Sequence, residues 1–290
     1  MRQKNRSVLI HARILKKFSL INTKMTKTIL APILIQLTAV SYAQPSAEQN
    51  FDIADFNKKK EIAEWLYEYD MIAWQTSDSV MVQDKKDIGR LGAEWFCLKK
   101  DGTWHAIYGK YQNNSFDLVF HFKVDDKGRI SKTTETVDTA LTQRYSRALQ
   151  TATSQMKTHN DDVNLRFNQY IRENQDQTIS VWILPAFQTN HTAVYGGEFI
   201  YTLDSTGTKI LKDESHFKGQ FKGFKVDRPR EIWVDYPEMD KPTLGAIFFA
   251  WYYKSYFTKI VIENSKSICF PLKSGSGWEW IHSPKEANGD

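Results

Sequence analysis

Turn sequences built on Asp and Gly divide much of the chain into short β-prone runs. Asp101-Gly102 joins two such runs, and the spacing Asp-x-x-Gly recurs at 125–128 and at 204–207. Both residue types tolerate the backbone conformations that tight hairpin turns require. The pattern therefore predicts antiparallel sheet made of hairpins. The predicted strands are 94–98, 103–109, 116–124, 129–136, 178–184, 192–195, 198–203, 208–212, 231–235, 258–263, 267–272 and 278–282.

Helical periodicity interrupts these strands at four places. Apolar residues at three- and four-residue spacing predict a helix of about twenty residues that Asp55 caps and that ends at 76–78. The same spacing predicts a central helix pair over 138–156 and 163–174. A nearly all-apolar helix over 244–256 is expected to be buried. The sequence thus indicates an α+β fold, with antiparallel sheet packed against an N-terminal helix, a central helix pair and a buried helix in the C-terminal half.

Two stretches of the chain, 92–136 and 178–213, resemble each other. Tyr108-Gly109 corresponds to Tyr195-Gly196 with an offset of 87 residues, and the two Asp-x-x-Gly turns correspond with an offset of 79. These matches are compatible with a duplicated unit. The alternative is shared turn chemistry, because Asp-x-x-Gly suits many tight turns. The sequence leaves both interpretations open.

The first 43 residues have the composition of a targeting segment. They contain eight Lys and Arg residues and no Asp or Glu, and an apolar run over 28–40 precedes Ser41-Tyr42-Ala43. A basic start, a short apolar core and small residues at the −3 and −1 positions are typical of a cleaved secretory signal. We predict cleavage near Ala43 and an exported domain, 44–290, that is secreted or periplasmic and keeps no stable transmembrane anchor. A retained anchor, an organelle-targeting arm and a start at Met25 are the alternatives.

The basic excess of the chain belongs to this segment. The whole chain has 39 basic and 34 acidic side chains, and removal of the eight basic residues leaves 31 against 34. The exported domain is therefore mildly acidic, which argues against nucleic acid as a partner. Cys97 and Cys269 are the only cysteines. An oxidising compartment would permit their pairing, whereas two apolar strands would bury them as free thiols.

The chain carries no strong catalytic signature. It has no zinc-protease HExxH, no GxSxG nucleophile elbow, no P-loop and no dinucleotide glycine fingerprint. No two histidines of the exported part lie at the i, i+2 or i, i+4 spacing that metal sites often use, so we expect no metal and no cofactor. His121 lies between two phenylalanines on a predicted strand, and alternation places it on the wetter face.

An acidic loop offers the first candidate site. It contains Asp235, Glu238 and Asp240 and lies just before the predicted buried helix. Carboxylates on a loop can perform acid–base chemistry, here with a histidine such as His105 or His191. The alternative interpretation is a solvated turn.

Aromatic and basic residues offer the second candidate site. Strand aromatics can form a stacking platform, although strand aromatics commonly pack against a helix instead. The segment 218–230 alternates Phe and Lys between glycines, which is compatible with a phosphate- or glycan-binding loop or with a surface loop that turns its phenylalanines inward. The candidate ligand-binding residues are Trp104, Tyr108, Trp182, Tyr195, Phe221, Phe224, Lys225 and Arg228.

Two functions are compatible with these features. The favoured one is a non-catalytic, aromatic-rich, exported binding protein whose partner is a glycan, a peptide or a protein of the cell envelope. The alternative is an envelope hydrolase that uses the acidic loop with a histidine.

Overall fold

The computed structural model describes residues 51–159 and 165–285. The predicted targeting segment, the cleavage position near Ala43 and the alternative start at Met25 lie outside these residues. Within the described residues the chain forms four helices and 13 strands. The helices are α1 Ile53–Met81, α2 Lys85–Ile88, α3 Thr139–His159 and α4 Leu244–Tyr253. The strands are β1 Trp95–Lys100, β2 Thr103–Gln112, β3 Ser115–Val124, β4 Ile130–Lys132, β5 Phe167–Glu173, β6 Ile179–Pro185, β7 Thr192–Leu203, β8 Ile210–Asp213, β9 His216–Lys225, β10 Glu231–Tyr236, β11 Lys259–Asn264, β12 Ser267–Ser274 and β13 Gly277–Pro284.

These strands form three sheets, and the predicted α+β fold built from hairpins is confirmed. The first sheet is the antiparallel meander β1-β2-β3-β4. The second has the order β5-β6-β7-β8, and β9 also pairs with the long strand β7. The third has the order β10-β11-β12-β13, in which β10 and β11 run parallel. Parallel neighbours require a crossover connection, and α4 provides it. The sequence pattern did not predict this parallel pair.

The prediction of a second helix in the central pair is wrong. Residues 167–173 form β5, which pairs antiparallel with β6 over its whole length. Tyr170 and Ile171 are adjacent and both buried, because elements pack on both faces of this sheet. A short apolar run without alternation cannot be distinguished from a helical segment by periodicity alone.

Three local predictions also need correction. The helix α1 is capped by Asp52 rather than Asp55 and continues past Thr76, whose hydroxyl donates to the Ile72 carbonyl at 2.7 Å inside the helix. The predicted strands 192–195 and 198–203 are one strand, β7, with a bulge at Gly196-Gly197. The predicted loop at 218–225 is part of β9, which pairs with β7.

Asp70 connects three elements at the centre of the larger of two cores. This carboxylate on α1 accepts hydrogen bonds from Asn168 (2.7 Å) and Tyr170 (3.0 Å) on β5, and from Tyr252 (2.8 Å) on α4. Asp70 is buried, and desolvation raises its pKa while the three donors oppose that rise. The larger core lies around α1 and α4, and the smaller core lies against α3.

The stretch 92–136 contains β1 to β4, and the stretch 178–213 contains β6 to β8 of a sheet that also has sequential order, β5-β6-β7-β8. Their Asp-x-x-Gly turns both precede the last strand, and in both turns the Asp side chain accepts from backbone amides that follow it. Tyr108-Gly109, however, lies on the second strand of its sheet, and Tyr195-Gly196 lies on the third strand of the other. Duplication therefore stays a prediction.

Gly207 is required where its turn packs on α3. Its φ is +74°, and a Cβ there would lie 2.4 Å from the Arg144 carbonyl oxygen. Gly128 occupies the equivalent turn with a φ of +72°, and a Cβ there would meet nothing within 4 Å. A side chain at Gly128 would therefore meet backbone strain alone, whereas a side chain at Gly207 would meet the same strain and a steric clash with α3.

We expect Gly128→Ala to lower the free energy of unfolding by about 1 kcal/mol, the cost of a side chain in the left-handed region. Gly207→Ala should lower it by about 2 kcal/mol more, because the added methyl overlaps the helix backbone. Urea denaturation followed by tryptophan fluorescence measures both values. Equal losses for the two variants would contradict the proposed contact of the turn with α3.

Candidate functional site

The four aromatic side chains proposed as a stacking platform lie inside the protein. Trp104 is 6% exposed and Trp182 is 3% exposed, and Trp65 of α1 packs against both rings. Tyr108 and Tyr195 are also buried. These rings fill the larger core, so they do not form an exposed face. Periodicity located them on strands correctly, but it could not show that α1 and α4 cover that side of the sheets.

His105 and His121 form a buried pair on β2 and β3. Their Nδ1 and Nε2 atoms lie 2.8 Å apart, and His121 Nδ1 donates to the Glu135 carbonyl at 3.2 Å. That second bond leaves Nε2 of neutral His121 as the acceptor from His105 Nδ1. Burial lowers the pKa of both histidines. The prediction that His121 lies on the wetter face of its strand is wrong, because both faces of β3 are covered at this position.

The acidic loop meets a different histidine. Glu238 Oε1 lies 3.2 Å from His216 Nε2, and Glu238 Oε2 pairs with the Lys218 ammonium. Asp235 lies 3.9 Å from Lys222, and Asp240 lies 2.6 Å from Lys266. The fold therefore brings Glu238 together with a histidine. His191 lies in the turn before β7, where its backbone amide donates to Gln188.

A buried carboxyl lies beside that pair. Glu198 on β7 is directly opposite His216 on β9, and only 3% of its surface is exposed. Its Oε2 accepts from the Gly245 amide at 2.5 Å, and its Oε1 has no hydrogen-bond partner within the described part of the chain. Burial raises the pKa of Glu198 to about 7, although the Thr243 hydroxyl and the Gly245 amide at the start of α4 oppose the rise. We call Glu198, His216, Lys218 and Glu238 the acid–histidine cluster.

A narrow cavity opens next to this cluster. It lies between the bulge of β7 and the first turns of α4. Its free volume is about 10 Å³, which is enough for one water molecule. Its wall is mostly apolar and includes Tyr195, Tyr236, Phe248, Phe249 and Tyr253. Gly197 and Gly245, the backbone neighbours of Glu198, line the cavity, but the side chains of the acid–histidine cluster do not. The cavity can hold a solvent molecule but is too small for an organic ligand.

A second cluster contains aromatic rings that stay part-exposed. Lys254 Nζ lies 3.8 Å from the ring centre of Trp251, 4.6 Å from that of Tyr67 and 5.7 Å from that of Trp278. The Trp280 ring stacks on Trp251 with centroids 6.4 Å apart. All five side chains are partly exposed. We call Tyr67, Trp251, Lys254, Trp278 and Trp280 the aromatic–lysine cluster.

Three elements place the aromatic–lysine cluster. Tyr67 belongs to α1, Trp251 and Lys254 lie at the end of α4, and Trp278 and Trp280 lie on the edge strand β13. Alternation on β13 puts both tryptophans on one face, and a spacing of three puts Lys254 beside Trp251 on the helix. The sequence pattern identified the two β13 tryptophans as strand aromatics, but their meeting with α1 and α4 could not be read from it.

The remaining candidates lie on or next to β9. Phe221 packs inward between Phe217 (4.8 Å between centroids) and Phe167 (5.7 Å). Phe224 stacks on Tyr195 at 5.7 Å. Lys225 donates to the Asn190 carbonyl at 2.6 Å, and Arg228 is exposed in the loop that follows.

Cys97 and Cys269, whose pairing the sequence left open, are both buried free thiols. Burial raises the pKa of Cys97 well above its usual range and that of Cys269 to about 12. Within residues 51–159 and 165–285, no group of three or more His, Cys, Asp or Glu side chains is placed to hold a metal ion. None of the helices in these ranges has the length and apolarity needed to cross a membrane.

Comparison with known proteins gives no relative. The chain matches no protein-family model, no curated protein and no solved structure.

The acid–histidine cluster predicts a specific pH dependence of stability. The pKa of Glu198 is about 7 in the folded protein and about 4.5 without burial, so the folded state binds the extra proton between these values. Protonation of Glu198 therefore contributes about 3 kcal/mol to the free energy of unfolding. This contribution is fully present below pH 4.5 and is lost as the pH rises through 7.

We therefore expect the unfolding free energy of the wild type, relative to Glu198→Gln, to fall by about 3 kcal/mol between pH 4.5 and pH 8. Urea titrations at several pH values measure it. Glu61→Gln, at an exposed position of α1, serves as the control and should parallel the wild type. A flat difference for Glu198→Gln would show that the carboxyl titrates normally.

Proposed function

We propose that this protein is an exported, non-catalytic binding protein that holds a glycan on the aromatic–lysine cluster. The observation that carries the proposal is the part-exposed group of Tyr67, Trp251, Trp278 and Trp280 around one ammonium. Other large aromatics, such as Trp104 and Trp182, are almost fully buried in the core. A set of rings that stays partly exposed when burial would stabilise the fold is typical of a ligand surface.

The chemistry of the cluster suits an acidic sugar. Flat aromatic faces pack against the apolar faces of sugar rings, and such contacts gain free energy by removing both surfaces from water. Lys254 Nζ donates to the Trp251 carbonyl at 2.8 Å and takes part in no ion pair with a described carboxylate. Its remaining N–H groups are free to pair with a uronic acid carboxylate.

The proposed location rests on the N-terminal segment. A basic start, a short apolar core and a small-x-small exit within residues 1–43 support export. Glycans are abundant at cell envelopes and outside cells, so the proposed ligand and the proposed compartment agree.

Titration of the protein with oligogalacturonides and with neutral gluco-oligosaccharides, followed by calorimetry, tests the proposal. We expect the acidic sugars to bind and Trp278→Ala to weaken binding about tenfold, which corresponds to about 1.4 kcal/mol of lost stacking. Trp233→Ala is the matched control, because Trp233 is 41% exposed on a different strand and should leave affinity unchanged. Equal losses for both variants, or no binding by any sugar, would reject the aromatic–lysine cluster as the site.

A second candidate function has its own observation. His216 Nε2 and Glu238 Oε1 lie 3.2 Å apart beside the buried carboxyl of Glu198, although His216 Nε2 makes no hydrogen bond within the described residues. A histidine next to two acids is the set of groups that a general base, its orienting acid and a proton donor require. Burial and Lys218 lower the pKa of His216, which favours the neutral imidazole that a base requires. This cluster supports the alternative of an envelope hydrolase that attacks its substrate with an activated water.

A screen with nitrophenyl esters and nitrophenyl glycosides tests this alternative. If the cluster is catalytic, His216→Gln and Glu198→Gln should each lower kcat at least about a hundredfold, the usual contribution of a general acid or base. Asp240→Asn is the control, because Asp240 lies on the same loop and pairs with Lys266 instead. Activity that survives both cluster variants would assign the hydrolysis elsewhere, and a blank screen would leave only the binding function.

A further inference from the structure

We propose that Lys254 is a covalent attachment site for aldehydes, including the open-chain form of reducing sugars. The inference rests on the same aromatic–lysine cluster as the proposed function. It deepens that function, because a sugar held on the tryptophans would present its reducing end to a reactive amine.

The surroundings of Lys254 differ from those of an ordinary surface lysine. Three aromatic rings lie within 5.7 Å of its ammonium, and the Trp251 carbonyl is its hydrogen-bond acceptor. No described carboxylate forms an ion pair with it. Aromatic faces stabilise a cation less than water or a carboxylate does. Partial burial among these rings therefore disfavours the ammonium form of Lys254.

Electrostatics supports this geometry. Desolvation lowers the pKa of Lys254 to about 8, and the charge of Glu64 on α1 opposes that shift. Tyr67, on the same helix as Glu64, also faces the amine, and burial and Asp70 raise its pKa, so it stays neutral. At pH 7.4 about a fifth of Lys254 is then the free amine, against about one in a thousand for an unperturbed lysine.

Lys254 Nζ and the aldehyde form an imine without a further reactant. The lone pair of neutral Nζ attacks the aldehyde carbon, and the carbonyl π bond breaks. One proton passes from nitrogen to oxygen and gives a carbinolamine. The hydroxyl then leaves with the remaining proton of nitrogen, as water, and the nitrogen lone pair forms the C=N bond of an imine between Nζ and the former carbonyl carbon. Addition of water reverses the step. No oxidant or reductant takes part.

The position of the amine favours reaction with cyclic or aromatic aldehydes. Trp251 and Trp280 stack on each other with 18° between their planes, and both rings remain partly exposed next to Nζ. An aldehyde held there is oriented towards the amine, which raises the effective concentration of the reacting groups. Exposed lysines such as Lys225 have no comparable surface.

Reductive trapping on the full chain tests the inference. The protein is incubated with 4-formylbenzoate and cyanoborohydride at pH 7.5, and peptide mass mapping gives the extent of labelling at each lysine. We expect labelling at Lys254 to exceed that at Lys225 at least about tenfold, and its rate to reach half its plateau near pH 8. Glu64→Gln should increase labelling at pH 7 several-fold, because it removes the charge that favours the ammonium.

Two outcomes overturn the inference. The first is uniform labelling of Lys254 and Lys225, and the second is a rate that keeps rising to pH 10 without a plateau. Lys254→Arg, which retains the positive charge, should remove the label at this position alone. It also shows that the trapped peptide is correctly assigned.

Calorimetry with reduced oligosaccharides, run beside the trapping experiment, distinguishes the reactive amine from the proposed glycan site. Oligosaccharides reduced to alditols have no aldehyde and can still stack on the aromatic–lysine cluster. Binding of alditols with uniform labelling would overturn the reactive amine and keep the glycan site. Selective labelling without binding of alditols would do the reverse.

Discussion

The buried carboxylate of Asp70 fixes the arrangement on which the rest of the structure depends. Burying an ion costs several kcal/mol, and that cost is offset only when hydrogen bonds satisfy the oxygens. Asp70 receives three of them, from Asn168 and Tyr170 on β5 and from Tyr252 on α4. Loss of any donor would leave the buried Asp70 carboxyl with fewer hydrogen bonds in an apolar core. The helix α1, the second sheet and α4 therefore have one favourable relative position.

The same contact sets the geometry of the aromatic–lysine cluster. Tyr67 lies one turn before Asp70 on α1, and Trp251 is adjacent to Tyr252 on α4. Tyr67 and Tyr252 also meet edge to face, with centroids 5.7 Å apart. When the Asp70 hydrogen bonds form, the end of α4 is held against α1, and Lys254 lies among the rings. The buried Asp70 carboxyl thus helps to position the partly exposed aromatic–lysine cluster.

Glu198 is a buried acid whose hydrogen bonds, unlike those of Asp70, leave one oxygen without a partner among the described residues. Asp70 has three donors, whereas one oxygen of Glu198 receives the Gly245 amide and the other has no hydrogen-bond partner in the described ranges. Incomplete solvation of the charge keeps this carboxyl near its protonation midpoint at neutral pH. Buried acids that are fully paired serve the fold, while acids left short of partners near a cavity are where proton transfer is expected. Of the two buried acids, the one with an oxygen unpaired in the described part of the chain, Glu198, thus belongs to the acid–histidine cluster, and the fully paired Asp70 belongs to the core.

The sequence by itself determined the local structure of this protein: the Asp-Gly hairpins, the amphipathic α1, the helix α3 and the apolar α4. These follow from turn chemistry and from periodicity, which act over a few residues. Only the tertiary structure decided that 167–173 is a strand, that Trp104 and Trp182 are buried and that Trp278 meets Lys254. Each of these depends on which element covers a given face, and the Asp70 contacts that choose it join residues 98 to 182 positions apart. No local pattern encodes a contact of that range.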